Sequence, residues 1–438
     1  SLHMVSASSN LKPRMPLVVL LALAWALVVD VPTNVGLGPL SLSGAATLAV
    51  AGVLVLFAPM VMTTRGKLTP PVGKSKKFEP YLEGRFDVRS VPIALVCFLV
   101  LAIGLLGFRF NVDGVQNVAV YLLFVASIPI TTALCSAGTT DLTLKRFRQV
   151  ALFVGALSAA QSLAGVEVYG PRSAALILVV FVGITLAMPR RSWFDHALPF
   201  LLVACCALTL SRTALFVSAI LIPVSYLFTA TRNGALKVLA ASIPMGYLMY
   251  VLVTTWAPLK DRFLEGDNGY SAGGLDLNTS GRTVLWEMTI DSWKQAPLVG
   301  HGPGSASSMI SARFSGIAHP HNEYLRILHD FGLVGFIPFV VGLFLLAAAL
   351  WRRARQFRDP VHKAAVLSLL GVLAVAFTDN VLIYPFVMVP VGVLIGLSAA
   401  NSFPSSSTPE SRAKAEASGS GRITPRTIYG NDLLKNIS

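Results

Sequence analysis

The residues best suited to chemistry form the run HPHNEY at positions 319–324. Apolar side chains follow at helical spacing, which predicts a helix that begins near Asn322 and stops at Gly332. The N-terminal dipole of that helix disfavours an imidazolium ion at His321 and keeps the ring neutral at pH 7, as a general base requires. Two alternatives stay open: a structural histidine pair, or a metal site formed by His319 and His321, for which no third ligand is evident.

A second candidate is Arg282. Residues 278–280 can cap a helix that carries Trp286 and Trp293 on one face, which predicts an amphipathic helix lying on a bilayer. A cation in the first turn of a helix is disfavoured by about 0.3 to 1 kcal/mol unless an anion binds there as well. Backbone N–H groups and a guanidinium together suit a phosphate group, whereas an ion pair with a nearby acid is the alternative.

Three further residues are candidates by position. Arg212 lies in a tight turn between two apolar segments, and Asp379 precedes the last apolar segment. Arg262 is the weakest of the three, because it also fits a solvated charge beside an acid. The stretch 258–331 holds six basic and eight acidic residues, so anion binding there must come from individually placed arginines and not from a basic patch. Its glycine-rich turn at 300–305 is interpreted as a simple loop.

The elements that position these residues are membrane-spanning helices. With 54% apolar and only 13% charged residues, the chain does not have the composition of a soluble globule. About 20 apolar residues are needed for each crossing. The pattern predicts an all-α polytopic membrane protein of about twelve transmembrane helices: 15–31, 39–62, 91–108, 114–137, 148–164, 173–188, 197–211, 213–230, 238–257, 332–350, 364–378 and 381–400.

The net charge of +14 is explained by topology, and binding of nucleic acid is not needed to account for it. If the N-terminus is cytoplasmic, 26 of the 35 Lys and Arg residues fall in cytoplasmic segments and nine in outer ones. The predicted chain begins with a cytoplasmic N-terminus at 1–14, in which 1–4 resembles an expression remnant. Transmembrane helices 1 to 9 follow at 15–257, and then a large helical periplasmic loop at 258–331. Transmembrane helices 10 to 12 lie at 332–400, before a disordered cytoplasmic tail at 401–438.

Several motifs together resemble the bacterial O-antigen ligase family, within a larger ligase and polymerase superfamily. They are SRTA from Ser211, GRTVLW from Gly281, PLVGHG from Pro297 and HPHNEYLRILHDFGLVG from His319. The resemblance spans about 210–340, and the twelve-helix plan agrees with it. It implies transfer of polysaccharide from undecaprenyl diphosphate to a sugar hydroxyl of lipid A-core, at the periplasmic face of the inner membrane.

The resemblance also implies roles for individual residues. His321 is then the catalytic base, with His319 and Asp379 as supporting residues. The donor diphosphate is expected to bind three arginines: Arg212, Arg282 and Arg262. The expected partners are the lipid-linked O-antigen donor, the lipid A-core acceptor and membrane lipids, without nucleic acid.

No cofactor and no metal ion is expected. Many glycosyltransferases that use lipid-phosphate donors carry an acidic metal-binding motif in their first outer loop, whereas the corresponding segment here, Val31 to Leu40, has no carboxylate. The arginines would then hold the charge that develops on the leaving diphosphate, in an inverting and metal-independent reaction.

Other functions remain in view. A polymerase of O-antigen or capsule from the same superfamily would use a growing glycan as acceptor, and a second large outer loop would favour it. A transporter or flippase would show charged residues in the middle of its helices, and this sequence has few. A protein O-glycosyltransferase with the same donor is a further alternative.

The asymmetry of Lys and Arg predicts that the loop 258–331 lies outside the cytoplasm. Single cysteines in place of Ser271 and Ser406 test this orientation in a background without the native cysteines. A membrane-impermeant thiol reagent is expected to label the first position in intact spheroplasts and to spare the second. The reverse pattern would contradict the topology.

Overall fold

The computed structural model describes residues 15–30, 36–37, 40–63, 90–135, 137–228, 233–264, 270–272, 275–277, 281–315 and 317–402. The helices among them are α1 (Leu17–Val28), α2 (Leu42–Thr63), α3 (Ile93–Phe108), α4 (Val112–Leu134), α5 (Ala137–Ala164), α6 (Pro171–Ala187), α7 (Trp193–Leu208), α8 (Arg212–Ser225), α9 (Gly234–Thr255), α10 (Ala257–Leu264), α11 (Arg282–Trp293), α12 (Ser305–Ser311), α13 (Glu323–Gln356), α14 (Pro360–Val375) and α15 (Pro385–Ala400). Two short antiparallel pairs, which the sequence did not predict, join β1 (Gly36–Leu37) to β2 (Leu40–Ser41) and β3 (Tyr270–Ala272) to β4 (Leu275–Leu277).

Each of the twelve predicted apolar segments corresponds to a helix, from α1 to α9 and from α13 to α15. The largest difference lies in α5, which begins at Ala137 and not at 148. Its first turns are polar, so apolar length alone does not predict them, and Asp141 and Lys145 form an i,i+4 ion pair there. Among the described residues, α4, α9 and α13 contain helical stretches long and apolar enough to cross a membrane, and eight further apolar helices are shorter. That twelve helices cross stays a prediction, as does the side on which 258–331 lies. The predictions for 1–14 and 403–438 fall outside the described residues.

The helices α6 and α15 form the centre of the packing. Every side chain over 173–186 is buried, as suits a helix that is apolar on all sides. The helix α15 packs against α4 at two glycines four residues apart. A Cβ atom would come within 2.9 Å of the Phe124 carbonyl oxygen at Gly392, and within 2.6 Å of the Ile128 carbonyl oxygen at Gly396. Small residues at this spacing let two helix backbones approach closely.

The helix α13 is broken at Gly332, where the sequence predicted that a helix stops. The backbone there has φ 59° and ψ −167°, and the helix resumes at once. The glycine-rich turn and the residues before it lie across this break: Leu333 N–H donates to the Pro297 carbonyl at 2.9 Å, and Val334 N–H donates to the Leu298 carbonyl at 3.0 Å. The predicted end is therefore a kink, because the neighbouring segment satisfies the amides that the break frees.

Replacing Gly332 with Ala is expected to lower the free energy of unfolding by about 2 kcal/mol or more. The positive φ strains any L-residue, and a Cβ atom would lie 2.3 Å from the Leu298 carbonyl oxygen. Gly104→Ala is the matched control, because nothing lies within 4 Å of a Cβ there and alanine favours the helix interior. Thermal unfolding in detergent measures both variants. Equal melting temperatures would contradict a strained break.

Candidate functional site

The predicted start of the helix after the histidine run is confirmed. Asn322 precedes the first turn of α13, and its side-chain oxygen accepts a hydrogen bond from Leu325 N–H at 3.1 Å. The next residue is anchored to a different helix, because Glu323 N–H donates to the Ala376 carbonyl at 2.9 Å. The histidines are thus held where α13 begins and α14 ends.

A buried ion pair fixes the first turn of α13. Glu323 and Arg326 are both fully buried, and Arg326 Nε donates to Glu323 Oε2 at 2.8 Å. The guanidinium carbon lies 5.9 Å from the centre of the Tyr121 ring in α4. Removing either charge alone would leave the other buried and uncompensated, which commonly costs about 3 to 5 kcal/mol. The sequence analysis counted both residues only as loop charges.

His321 adopts a left-handed backbone conformation with φ 56°, which is uncommon for a non-glycine residue and recurs at functional sites. Its Nδ1 atom lies 2.5 Å from Arg172 Nη2 and 3.2 Å from Asn380 Nδ2. Both neighbours are hydrogen-bond donors, so Nδ1 accepts and the ring proton is on Nε2. Burial lowers the pKa of His321 to about 3, and the guanidiniums of Arg172 and Arg282 act in the same direction.

The ring is therefore neutral at pH 7, as the sequence predicted. The predicted cause was the dipole of α13; in the structure, burial and the guanidiniums of Arg172 and Arg282 lower the pKa. The same environment makes Nδ1 a weak base as long as those cations are not neutralised.

Arg172 connects His321 to a carboxylate. Its Nε atom donates to Asp379 Oδ1 at 2.8 Å, and its Nη2 atom contacts the same oxygen. Asp379 is 2% exposed and also accepts a hydrogen bond from Asn380 N–H at 2.7 Å. The structure thus places Asp379 near His321, and it adds Arg172, which is not among the site residues predicted from the sequence. The Pro171-Arg172 pair could have revealed it, because proline favours the first turn of a helix.

Three arginines share this environment, and each lies in the first turn of a helix: Arg172 in α6, Arg212 in α8 and Arg282 in α11. Burial lowers the pKa of Arg282 to about 10; Asp379 opposes that shift, and the guanidiniums of Arg212 and Arg172 add to it. A contact of 2.6 Å between the hydroxyl oxygens of Thr213 and Thr378 holds α8 beside the segment that carries Asp379. Arg172 and Arg282 both interact with Asp379, and arginines in the first turns of helices favour binding of an anion.

The helix α11 brings Arg282 to the histidines. One turn after Arg282, Trp286 Nε1 donates to the Pro320 carbonyl at 2.9 Å. The helix packs against α13, and its buried side chains are Leu285 and Thr289. That the helix lies on a bilayer through Trp286 and Trp293 stays a prediction; both side chains are partly exposed in the structure. The helix begins after Gly281 without a side-chain cap, and the expected capping residues, 278–280, lie outside the described residues.

The second histidine of the run has a separate partner. His319 Nδ1 lies 3.0 Å from the hydroxyl of Ser307 in α12. Burial lowers the pKa of His319 to about 4, with Arg326 and Arg172 acting in the same direction, so this ring is also neutral at pH 7. Among the residues that the structure describes, no three His, Cys, Asp or Glu side chains are grouped as metal ligands. Arg262 lies in α10, and its side chain is outside the described part of the chain.

Two other histidines of the long loop have structural contacts. The rings of His301 and His329 stack with their centres 4.7 Å apart. His301 Nε2 lies 2.8 Å from the Ser292 carbonyl, and His329 Nε2 lies 3.0 Å from the Ser292 hydroxyl. They join α11 to α13 and the segment across its break, and so support the position of Arg282.

The fold and the site together define a class: a helical protein of membrane character in which arginines at helix N-termini lie near a neutral histidine. A family model described as O-antigen ligase matches residues 197–340, about a third of the chain, and this segment is similar to that family. The matched segment contains Arg212, Arg282 and His321, whereas Arg172 and Asp379 lie outside it. A search among curated proteins finds no match.

Proposed function

We propose that the protein is an O-antigen ligase that transfers polysaccharide from undecaprenyl diphosphate to a sugar hydroxyl of lipid A-core. The reaction takes place at the periplasmic face of the inner membrane, inverts the anomeric carbon and uses arginines in place of a metal ion. The observation that carries the proposal is the contact of neutral His321 with Arg172, within the field of Arg282. Arg282 in turn lies within the field of Arg212.

The three arginines suit the donor. A diphosphate carries several negative charges, and guanidinium groups bind phosphate oxygens in bidentate fashion. Each arginine lies where the helix dipole disfavours a cation, so binding of an anion relieves that repulsion. The same groups stabilise the negative charge that grows on the diphosphate as it leaves.

His321 suits the acceptor once the donor is bound. A general base needs an available lone pair, but Nδ1 accepts from Arg172 when the diphosphate is absent. In the proposed mechanism the diphosphate takes up the Arg172 donors, and Asp379 keeps the guanidinium group close by. Nδ1 then keeps only the longer contact with Asn380 Nδ2, which the acceptor hydroxyl displaces. The negative charge of the diphosphate raises the pKa of the ring.

The chemical step follows from these positions. The acceptor oxygen forms a bond to the anomeric carbon of the donor sugar as the bond from that carbon to the diphosphate oxygen breaks. The hydroxyl proton passes to His321 Nδ1, and the electron pair of the broken bond stays with the diphosphate, beside Arg212 and Arg282. The donor supplies the energy, so no nucleotide is consumed.

Purified protein with lipid-linked O-antigen and lipid A-core, in excess EDTA, tests the proposal. Glycan joined to lipid A-core is the expected product. Glycan joined instead to a second lipid-linked glycan would assign a polymerase, which shares the donor chemistry. Activity that is absent in EDTA and restored by one divalent cation would overturn the metal-independent mechanism.

Two substitutions should separate chemistry from donor binding. His321→Ala is expected to lower kcat by about 10² to 10⁴-fold while donor affinity stays near that of the parent, because a base acts in the chemical step. Arg282→Lys is expected to weaken donor binding about tenfold or more, because an ammonium group does not reproduce a bidentate contact. Steady-state kinetics and donor binding measure both. His321→Ala with near-parental turnover would remove the proposed base.

The pH dependence of the two kinetic constants should differ. Without donor the pKa of His321 is about 3, so kcat/KM for the donor should show no ionisation of this ring between pH 5 and 8. In the donor complex the diphosphate raises that pKa, so kcat should fall on the acid side at a higher pH than kcat/KM does. Rates at saturating acceptor across the stable pH range measure both. If kcat/KM of the parent protein falls below pH 6.5 and that of His319→Ala or His321→Ala does not, the result would contradict the lowered pKa values of these histidines.

A further inference from the structure

Asn380 is the second hydrogen-bond donor beside the proposed base, His321. Its Nδ2 atom lies 3.2 Å from His321 Nδ1, whereas Arg172 Nη2 lies 2.5 Å from the same nitrogen. A ring nitrogen without hydrogen has one lone pair, so Arg172 makes the stronger of the two contacts in the free protein. Asn380 is 1% exposed, and its amide is therefore buried together with the contact.

The position of this amide is fixed by the segment before α15. That segment contacts α8 through Thr378 and α6 through Asp379. The N–H of Asn380 itself donates to Asp379 Oδ1 at 2.7 Å. The start of α13 is tied to the end of α14, because Glu323 N–H donates to the Ala376 carbonyl at 2.9 Å. The amide and the imidazole are thus both held through their backbones.

The side chain of Asn380 has one hydrogen bond among the described residues, and it is the bond from Nδ2 to His321. Its Oδ1 atom has no partner there. A buried amide that is only half satisfied costs stability, so a purely structural role would be filled better by an apolar side chain of the same size. The contact with His321 is the role that the structure gives to this amide.

This contact restricts where the imidazole carries its hydrogen. A lone pair on Nδ1 accepts from the amide nitrogen, whereas a hydrogen on Nδ1 would point at the hydrogens of the amide. Arg172 imposes the same tautomer only while it contacts Nδ1. Once a diphosphate takes up the Arg172 donors, Asn380 is the remaining donor to Nδ1 among the described residues. At 3.2 Å its hydrogen bond is long, so an acceptor hydroxyl displaces it readily.

We propose that Asn380 is a positioning residue for the transfer, which keeps the hydrogen of His321 on Nε2 and the lone pair on Nδ1 after the donor has engaged Arg172. The proposal rests on the proposed function, in which Nδ1 takes the hydroxyl proton. Asn380 itself exchanges no proton with the substrates. Replacing its amide nitrogen with a hydrogen-bond acceptor would draw the ring hydrogen to Nδ1 and remove the basic lone pair from that position.

Asn380→Asp and Asn380→Leu test the proposal, because both keep the size and branching of the side chain. An ionised carboxylate only accepts, so Asn380→Asp should lower kcat by about 10²-fold or more through the wrong tautomer. Asn380→Leu removes the hydrogen bond without offering an acceptor, so kcat should fall about five- to tenfold, with KM for the donor within about twofold. A greater loss in Asn380→Leu than in Asn380→Asp would overturn the proposal.

The matched control for these variants is Asn401→Leu. It removes an amide hydrogen bond of 2.8 Å to the Thr140 hydroxyl, at the other end of α15 from Asn380. Neither kcat nor KM should change. The same fall in kcat in Asn401→Leu as in Asn380→Leu would show a general effect of losing a buried amide and would refute the specific role.

The pH dependence of Asn380→Asp separates the tautomer from the added charge. The charged and titratable groups that act on the pKa of His321 are Arg172, Arg282, Asp379 and His319. A further carboxylate raises this pKa, so kcat should fall further as the pH decreases through the raised value. Above that value the ring is neutral, but its hydrogen stays on Nδ1, so kcat should remain low up to pH 9. Full recovery at high pH would assign the loss to charge alone and overturn the proposal.

A measurement without turnover separates this proposal from the proposed function. Nitrogen-15 chemical shifts of labelled histidine distinguish a protonated ring nitrogen from an unprotonated one, and His321→Ala identifies the signals. With inorganic pyrophosphate at pH 7, Nδ1 should stay unprotonated in the parent, be protonated in part of the Asn380→Leu molecules and be protonated throughout in Asn380→Asp. That pattern in a protein that does not ligate would support the positioning role and refute the ligase. A fully unprotonated Nδ1 in Asn380→Leu would overturn the positioning role, whether or not the protein ligates.

Discussion

The guanidinium group of Arg172 lies between a buried carboxylate, Asp379, and a neutral imidazole, His321. One side chain thereby joins the start of α6, the segment before α15 and the start of α13. Because guanidinium nitrogens only donate, this contact also determines which nitrogen of His321 carries the proton. The electrostatics of the site, and the order in which donor and acceptor would be engaged, depend on this interaction.

All three arginines of the site occupy positions that are electrostatically unfavourable for a positive charge. Arg172, Arg212 and Arg282 each lie in the first turn of a helix, where a positive charge is disfavoured by about 0.3 to 1 kcal/mol. Asp379 offsets part of this repulsion at Arg172 and Arg282. Positions that are unfavourable in the free protein become favourable once a polyanion is bound, so the arrangement suits binding of a diphosphate better than it suits stability.

The precision of the site comes from buried polar contacts around α13. The Glu323–Arg326 pair fixes its first turn, Trp286 ties α11 to the histidine segment, and Gly332 admits the backbone of the segment that begins at Pro297. A buried network of this kind is costly if it is only partly satisfied and rigid when complete. These contacts hold the short segment that carries His319 and His321 beside the start of α11, where Arg282 lies.

The sequence by itself determined the helices and the local place of the principal residues. Apolar length predicted twelve helical segments, Asn322 predicted the start of α13, and the position of Arg282 predicted a cation in a first turn, because these signals depend on neighbours within a few residues. Tertiary structure alone decided which distant residues meet. Arg172 lies 149 positions from His321 and 207 from Asp379. Periodicity and capping carry no information about such contacts, since they arise only when helices pack against one another.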